Sequence, residues 1–86
     1  MWEIFLSKKA VADLEKIKNA GLEEKVISLL KILQENPFTN PPPYEKLVGD
    51  LSGYYSRRIN IKHRLVYKVM KEEQIVQVFR MWTHYE

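Results

Sequence analysis

Several residue types that define common classes of protein site are missing or scarce in this chain. It contains no cysteine, which excludes disulfide bonds and catalytic thiols. Its three glycines are scattered, so the sequence has no glycine-rich loop of the kind that cradles phosphates. No serine stands in a motif typical of a catalytic nucleophile.

Long apolar runs are also missing. No stretch approaches the roughly 20 apolar residues that a helix needs to span a bilayer. The opening segment from Met1 to Leu6 is too short for a signal peptide and lacks its basic leader. We therefore expect a cytoplasmic protein that makes no membrane contact.

Histidine is too sparse to indicate a metal site. His63 and His84 are the only two histidines, they lie far apart in the sequence, and no clustered pair of Asp or Glu accompanies them. Zinc sites and two-metal catalytic sites need several such ligands close together. The sequence therefore predicts no metal and no cofactor.

The length and charge of the chain indicate one small domain with a basic second half. Its 86 residues, of which 45% are hydrophobic, suit a single domain over 1–86. Residues 1–53 hold seven Lys or Arg and eight Asp or Glu (net −1), whereas residues 54–86 hold seven and three (net +4). Cations attract phosphates and interleaved aromatic rings stack on bases. A solvated sheet face with aromatic core residues would show the same composition.

Hydrophobic periodicity and turn signals predict an α+β fold with the order β-α-α-β-β-β. Ser7 is a good helix N-cap, Gly21 separates two helical patterns, and Asn36-Pro37 ends the second pattern. An irregular stretch with three consecutive prolines precedes a β-prone second half. The predicted strands are residues 2–6, 54–61, 64–70 and 74–82, and the predicted helices lie between 7 and 19 and between 22 and 36.

The predicted elements form an antiparallel meander of the last three strands, with the helical hairpin covering one face of the sheet. The other face is then open and basic. Alternate residues of a strand point to opposite faces, and Leu65, Tyr67 and Val69 form the apolar set of the strand 64–70. Arg64 is therefore predicted to project from the open face.

A basic face, carboxylates and a histidine near the end of the chain suit metal-free cleavage of RNA. That reaction needs a base that removes the 2′-hydroxyl proton, an acid that protonates the departing 5′-oxygen, and cations around the phosphorane. A histidine exchanges protons near neutral pH. His84, which follows the β-rich run 75–82, is a candidate for this proton transfer.

Several motifs together resemble one family of small bacterial proteins. They are Leu51-Ser52-Gly53-Tyr54-Tyr55-Ser56-Arg57-Arg58-Ile59, His63-Arg64-Leu65-Val66-Tyr67 and the terminal His84-Tyr85, with Asn36-Pro37-Phe38 and Glu45-Lys46-Leu47 before them. Over nearly the whole chain the sequence resembles the YoeB/Txe family of bacterial toxins within the RelE superfamily. The resemblance implies a ribosome-dependent mRNA endonuclease of a type II toxin–antitoxin system, with a compact sheet-plus-hairpin fold.

The resemblance also implies roles for individual residues. Glu45 matches the general base of the family, Arg64 matches the arginine that holds the scissile phosphate, and His84 matches the general acid. Tyr85 matches a terminal tyrosine that orients the substrate. Without the resemblance, each of these would be an ordinary surface or terminal residue. The further arginines expected to contact phosphate are Arg58 and Arg80.

The implied partners are a cognate antitoxin, the ribosome and its mRNA. Association with a second copy of this chain, as a homodimer, is a further alternative. Two other functions stay open. A non-enzymatic toxin of the same fold, such as the ParE-like proteins that bind gyrase, would lack the terminal His-Tyr pair present here. A plain RNA-binding or partner-binding module would leave the RNA that it binds intact.

Overall fold

Two helices and a five-stranded sheet make up the part of the chain that the computed structural model describes, residues 1–82. The predicted α+β architecture is therefore confirmed. A short 3₁₀ turn (Gly49–Leu51) adds to these elements. The helices and strands are β1 (Glu3–Leu6), α1 (Lys8–Asn19), α2 (Glu23–Glu35), β2 (Glu45–Lys46), β3 (Tyr54–Arg58), β4 (Arg64–Met70) and β5 (Ile75–Arg80).

The helix ends follow from local side-chain chemistry. The Ser7 hydroxyl accepts a hydrogen bond from the backbone N–H of Ala10 (3.0 Å) and donates one to the carbonyl of Phe79 (2.6 Å). It therefore caps α1 and also ties this helix to the end of β5. Gly21, at φ +73°, takes the left-handed conformation that lets the chain turn from α1 into α2.

The strand order in the sheet is β1-β5-β4-β3-β2. The chain returns from the helical hairpin to an antiparallel β2-β3-β4-β5 meander, and β1 pairs with β5 in parallel. The hairpin covers one face of the sheet, and the core lies between the two layers. Its buried members include Ala10, Ile17, Val26, Leu29 and Leu33 from the helices and Leu65, Tyr67, Val76 and Val78 from the sheet.

The structure differs from the sequence-based prediction at three strands, of which β5, predicted to reach residue 82, ends at Arg80. The edge strand β2 was not predicted, because it has only two residues and pairs only with Tyr55 and Ser56. The strand predicted to reach Ile61 ends at Arg58. It ends there because the Asn60 side chain accepts hydrogen bonds from the next backbone N–H groups at 62 and 63 (2.9 and 2.7 Å), which forms a tight turn.

The neighbouring arginines of β3 point to opposite faces of the sheet. Arg57 pairs in register with Leu65 and lies on the inner face, whereas Arg58 pairs with Arg64 on the open face. Arg58 is exposed, but Arg57 is only 1% exposed. The inner face of the sheet therefore holds a buried guanidinium.

The Arg57 guanidinium binds four oxygen atoms in the interior. It donates to the hydroxyl of Tyr67 (3.2 Å) and to the carbonyls of Pro42 (2.6 Å), Pro37 (2.9 Å) and Thr39 (2.9 Å). The Tyr67 hydroxyl donates in turn to the Pro37 carbonyl (3.0 Å). Burial raises the pKa of Tyr67 against the opposing effect of Arg57, so the phenol stays neutral and keeps its proton for this bond. We call this group the Arg57 cluster.

The Arg57 cluster fixes the loop that precedes β2. All three carbonyls belong to residues 37–42, and the ring of Tyr44, in the same loop, lies 5.1 Å from the guanidinium carbon. Phe38 and Tyr55 pack edge-to-face with their ring centroids 5.4 Å apart. Because β2 begins directly after this loop, the buried guanidinium sets where Glu45 enters the sheet.

We predict that Arg57→Met lowers the free energy of unfolding by about 3 kcal/mol, because it leaves buried carbonyls without donors. Arg58→Met, one residue along on the open face, is the matched control and should change stability by less than about 0.5 kcal/mol. Urea unfolding at pH 7 measures both. Equal, small losses in the two variants would show that the cluster does not hold the loop.

Candidate active site

A pocket of about 240 Å³ lies on the open face of the sheet. It brings together three residues that were predicted to form a site, one from β2, one at the end of β3 and one at the start of β4. Within the described part of the chain, its lining residues are Pro43, Glu45, Ser56, Arg58 and Arg64.

The register of three neighbouring strands assembles this pocket. Glu45 of β2 lies opposite Ser56 of β3, and Arg58 of β3 lies opposite Arg64 of β4. Residues directly opposite each other on antiparallel strands project from the same face, as do residues two apart on one strand. Arg64 therefore projects from the open face, as its strand parity predicted.

The carboxylate of Glu45 and the guanidinium of Arg64 are in contact. Oε1 of Glu45 lies 3.3 Å from Nη1 of Arg64, which also lies 3.5 Å from the hydroxyl of Ser56. The Arg64 side chain is only 16% exposed, whereas that of Glu45 is 65% exposed. The guanidinium is thus held against the sheet while the carboxylate stays open to solvent and to a ligand.

This ion pair is suited to opening when an anion binds. The pair contributes about 1 kcal/mol or less, because its Glu45 carboxylate is largely exposed and water and salt screen the attraction. A phosphate offers a guanidinium charged oxygens in the same planar geometry as a carboxylate. The pocket can therefore exchange one anionic partner of Arg64 for another at low cost, with Arg58 adding a second positive charge beside it.

Arg80 lies elsewhere, against the first helix. Its Nε donates to Oδ2 of Asp13 in α1 (3.0 Å), and its Nη2 donates to Oδ1 of the same carboxylate (3.4 Å). The structure does not place Arg80 among the residues that line the pocket. Its predicted contact with phosphate stays a prediction.

Asp13 is a buried carboxylate that joins α1 to the end of β5. It is 2% exposed, and the same oxygen that binds Arg80 accepts hydrogen bonds from the backbone N–H groups of Met81 (2.9 Å) and Trp82 (3.2 Å). Burial by itself would raise the pKa of Asp13, but these hydrogen bonds and the charge of Arg80 together lower it. We call Asp13 and these three donors the Asp13 cluster.

The predicted acid His84 and the predicted tyrosine Tyr85 lie outside the described residues. The last described residue is Trp82, whose ring stacks on that of His63 with centroids 3.8 Å apart and an interplanar angle of 19°. His63 lies in the connection before β4 and directly precedes Arg64. The described chain therefore ends beside the strand that supplies Arg64 to the pocket.

Sequence reasoning missed Arg57 and Asp13, although signals for both were available. Arg57 shares its strand parity with Tyr55 and Ile59, which points it to the core face. Asp13 falls three residues after Ala10 and four before Ile17, on the buried stripe of α1. A charged residue at such a position predicts a specific buried partner.

Two further kinds of feature, a metal-binding cluster and a membrane-spanning helix, are not found among the described residues. Within 1–82, no group of three or more His, Cys, Asp or Glu side chains is arranged to hold a metal ion. Neither helix of this region is long and apolar enough to cross a membrane.

Comparison with known proteins identifies one family by sequence. A family model described as the YoeB-like toxin of bacterial type II toxin–antitoxin systems matches residues 6–85. Toxin YoeB of Mycobacterium bovis is 39% identical over 61 residues, which cover 71% of this chain and 69% of that toxin.

Solved structures show the same fold. The YoeB/ParE toxin from Agrobacterium tumefaciens superposes with a TM-score of 0.86 and 32% identity over 96% of this chain and 99% of that one. The YoeB chain of the YoeB–YefM complex from Staphylococcus aureus gives 0.81 and 34%, with 99% of both chains covered. A YoeB dimer from the same species gives 0.80 and 32%, with 98% of both chains covered.

We predict that Asp13 makes stability depend on pH in the acid range. Because its pKa is lower in the folded state than in the unfolded chain, Asp13 stabilises the fold above the ordinary carboxyl pKa of about 3.9. This contribution is lost as pH falls through the lowered pKa.

The measurement is urea unfolding of the wild type and Asp13→Asn between pH 7 and pH 2.5. The difference in unfolding free energy should stay constant from pH 7 to about 5 and shrink below about 4. A difference that is unchanged down to pH 2.5 would show that folding does not lower the pKa of Asp13.

Proposed function

This chain belongs to the YoeB-like toxins of bacterial type II toxin–antitoxin systems. From this premise we propose that it is a metal-independent endoribonuclease. It cleaves mRNA on the ribosome, in the cytoplasm. The observation that carries the proposal is the 3.3 Å contact between Glu45 and Arg64 in an open pocket. In this proposal Glu45 is the proton acceptor and Arg64 binds the phosphate, and their contact suits the 2′-hydroxyl and the adjacent phosphate of a single nucleotide.

The first step uses the exposed carboxylate. Glu45 takes the proton of the 2′-hydroxyl, and the 2′-oxygen attacks the adjacent phosphorus. The pentacoordinate phosphorane that forms carries more negative charge on its oxygens than the starting diester. Arg64 neutralises this charge from its fixed position on the sheet, with Arg58 beside it.

The second step breaks the bond between phosphorus and the 5′-oxygen. His84 donates a proton to the departing oxygen, and Tyr85 holds the nucleotide in place. The products are a 2′,3′-cyclic phosphate, or the 3′-phosphate that its hydrolysis yields, and a 5′-hydroxyl. Arg80 stays a candidate for contact with a neighbouring phosphate, although it is bound to Asp13 in the free protein.

In this proposal the ribosome orients the mRNA for attack, which the small pocket does not do by itself. A carboxylate is a weak base at neutral pH, so the free protein should cleave RNA slowly. A ribosome that presents mRNA with the 2′-oxygen in line with the scissile bond lowers the barrier by orientation.

An antitoxin partner is also part of the proposal. YoeB of Staphylococcus aureus, 34% identical to this chain, forms a complex with the antitoxin YefM. The net charge of +4 over residues 54–86 favours a partner with an acidic segment that covers the open face. The dimer of the same Staphylococcus aureus toxin supports self-association as a further state.

We predict that Glu45→Gln, Arg64→Gln and His84→Gln each slow mRNA cleavage by about 100-fold or more, since each removes a proton-transfer group or a charge at the phosphorane. Glu35→Gln, an exposed change at the end of α2, is the matched control and should cleave at the wild-type rate. Single-turnover cleavage on ribosomes programmed with a defined message measures all four. Wild-type rates for Glu45→Gln and His84→Gln would contradict the mechanism.

Loss of stability will not explain the defect of Glu45→Gln. The carboxylate is largely exposed, so its removal should change the free energy of unfolding by less than about 1 kcal/mol. If none of the proteins cuts mRNA and cells that express the wild type show DNA damage instead, the gyrase-binding alternative is favoured. Intact RNA bound on ribosomes would favour the binding module.

A 2′-deoxy nucleotide at the cleavage site tests the attacking group. We predict that this single substitution in the message abolishes cleavage at that position, because no 2′-oxygen is left to attack. The same message with the substitution one nucleotide downstream is the control and should be cut. Cleavage at the deoxy position would show that a water molecule, rather than the 2′-oxygen, attacks the phosphorus.

A further inference from the structure

The Asp13 cluster holds the backbone at the point where the sheet ladder ends. β5 stops at Arg80, and the next two backbone N–H groups, of Met81 and Trp82, turn to the carboxylate of α1 rather than to a neighbouring strand. The guanidinium of Arg80 binds the same carboxylate, so three consecutive residues are fixed by one side chain. A buried carboxylate with this many donors is costly to displace.

A second contact fixes the direction of the same segment. The Trp82 ring stacks on His63, which is 8% exposed, lies in the connection before β4 and directly precedes Arg64. Asp13 therefore acts from the helix layer and His63 from the sheet connection. Together they hold residues 81–82 between α1 and the strand that carries the phosphate-binding arginine.

From these contacts we infer that Asp13 is a positioning residue for cleavage, which it serves by fixing the segment that leads to His84 and Tyr85. The inference rests on the proposed function. His84 follows Trp82 by two residues, and two residues of chain span at most about 7 Å. The last described residues before the proposed acid are thus held by the Asp13 cluster and by the stack on His63. Asp13 itself is not proposed to touch the substrate or the reacting atoms.

The same contacts fit another role for Asp13, as a purely structural partner of Arg80 that holds the helix layer to the sheet. Both roles predict that Asp13→Asn is less stable. The two roles differ in the cleavage rate that they predict for the folded variant. A positioning role predicts a loss in the rate of the bound complex, and it predicts that this loss requires His84.

The test compares single-turnover mRNA cleavage by Asp13→Asn and the wild type on programmed ribosomes, at a temperature where both are folded. We expect the rate at saturating protein to fall by about 100-fold, the cost of misplacing a catalytic group by about 1 Å. The apparent affinity for the ribosome should change by less than about 3-fold. Leu29→Ala, a core change in α2, controls for lost stability and should keep the wild-type rate.

The same change is then made in the His84→Gln background. If Asp13 acts through His84, adding Asp13→Asn to a protein without the acid should slow cleavage by less than about 3-fold further. A structural effect would instead multiply with the His84→Gln defect. Full multiplication, or a wild-type rate for Asp13→Asn alone, would overturn the inference.

A spectroscopic readout follows the segment directly. In ¹H–¹⁵N and imidazole ¹H–¹³C spectra, Asp13→Asn should shift the backbone amides of Met81 and Trp82 together with the ring signals of His84. Leu29→Ala should leave these signals in place. Unchanged His84 ring signals in Asp13→Asn would overturn the inference.

Two results separate this inference from the function on which it rests. Cleavage by His84→Gln at the wild-type rate would overturn the proposed mechanism, and the inference with it, whereas a slow His84→Gln and a fast Asp13→Asn would overturn the inference alone. If Asp13→Asn fails to fold, Asp13→Glu, which keeps the charge but moves the carboxylate by one methylene, goes through the same comparisons. The same outcomes decide it.

Discussion

The buried guanidinium of Arg57 is the interaction on which the candidate site depends. A charge that is 1% exposed persists in the interior only when its donors are satisfied, and here three of its four acceptors are carbonyls of the loop 37–42. The loop therefore has little freedom to move away from the sheet. β2 begins after this loop, so the position of Glu45 opposite Ser56 follows from a residue on the other face of the sheet.

Two buried charges of opposite sign thus hold the described segments on either side of the central strands. Arg57 fixes the loop before Glu45, and Asp13 fixes the segment after β5. Arg64 needs no such support, because it stands on a central strand of the sheet. The proposed catalytic side chains can then stay accessible to substrate, as Glu45 is. The residues that support them, Arg57 and Asp13, are buried.

Much of this fold could be predicted because its signals are local. Ser7 caps α1, Gly21 turns the chain and Asn36-Pro37 ends α2, and each acts within a few residues of itself. The two-residue strand β2 carries no alternation to detect, and the loop before it is bound by Arg57 of β3, which lies well over ten residues away in the sequence. Contacts between residues this far apart in the chain cannot be predicted from the pattern of any single segment.

The candidate site was predictable in part for the same reason. Strand parity placed Arg64 on the open face, and the family resemblance pointed to Glu45, which the structure brings to within 3.3 Å of it. The partnership of Arg80 with Asp13 joins residues far apart in the chain, and only the packing of α1 against β5 brings them together. Arg57 and Arg58 look alike in the sequence, and only the alternation of β3 separates the buried guanidinium from the exposed one.

We propose that one pocket presents a base to the 2′-oxygen and a guanidinium to the adjacent phosphate. The most direct measurement is a cryo-electron microscopy structure of this protein on a ribosome whose mRNA carries a 2′-O-methyl group at the cleaved nucleotide. The claim predicts the Glu45 carboxylate beside the methylated 2′-oxygen and the Arg64 guanidinium on the scissile phosphate. An mRNA backbone that runs along another face of the sheet, with Glu45 and Arg64 still paired in solvent, would contradict it.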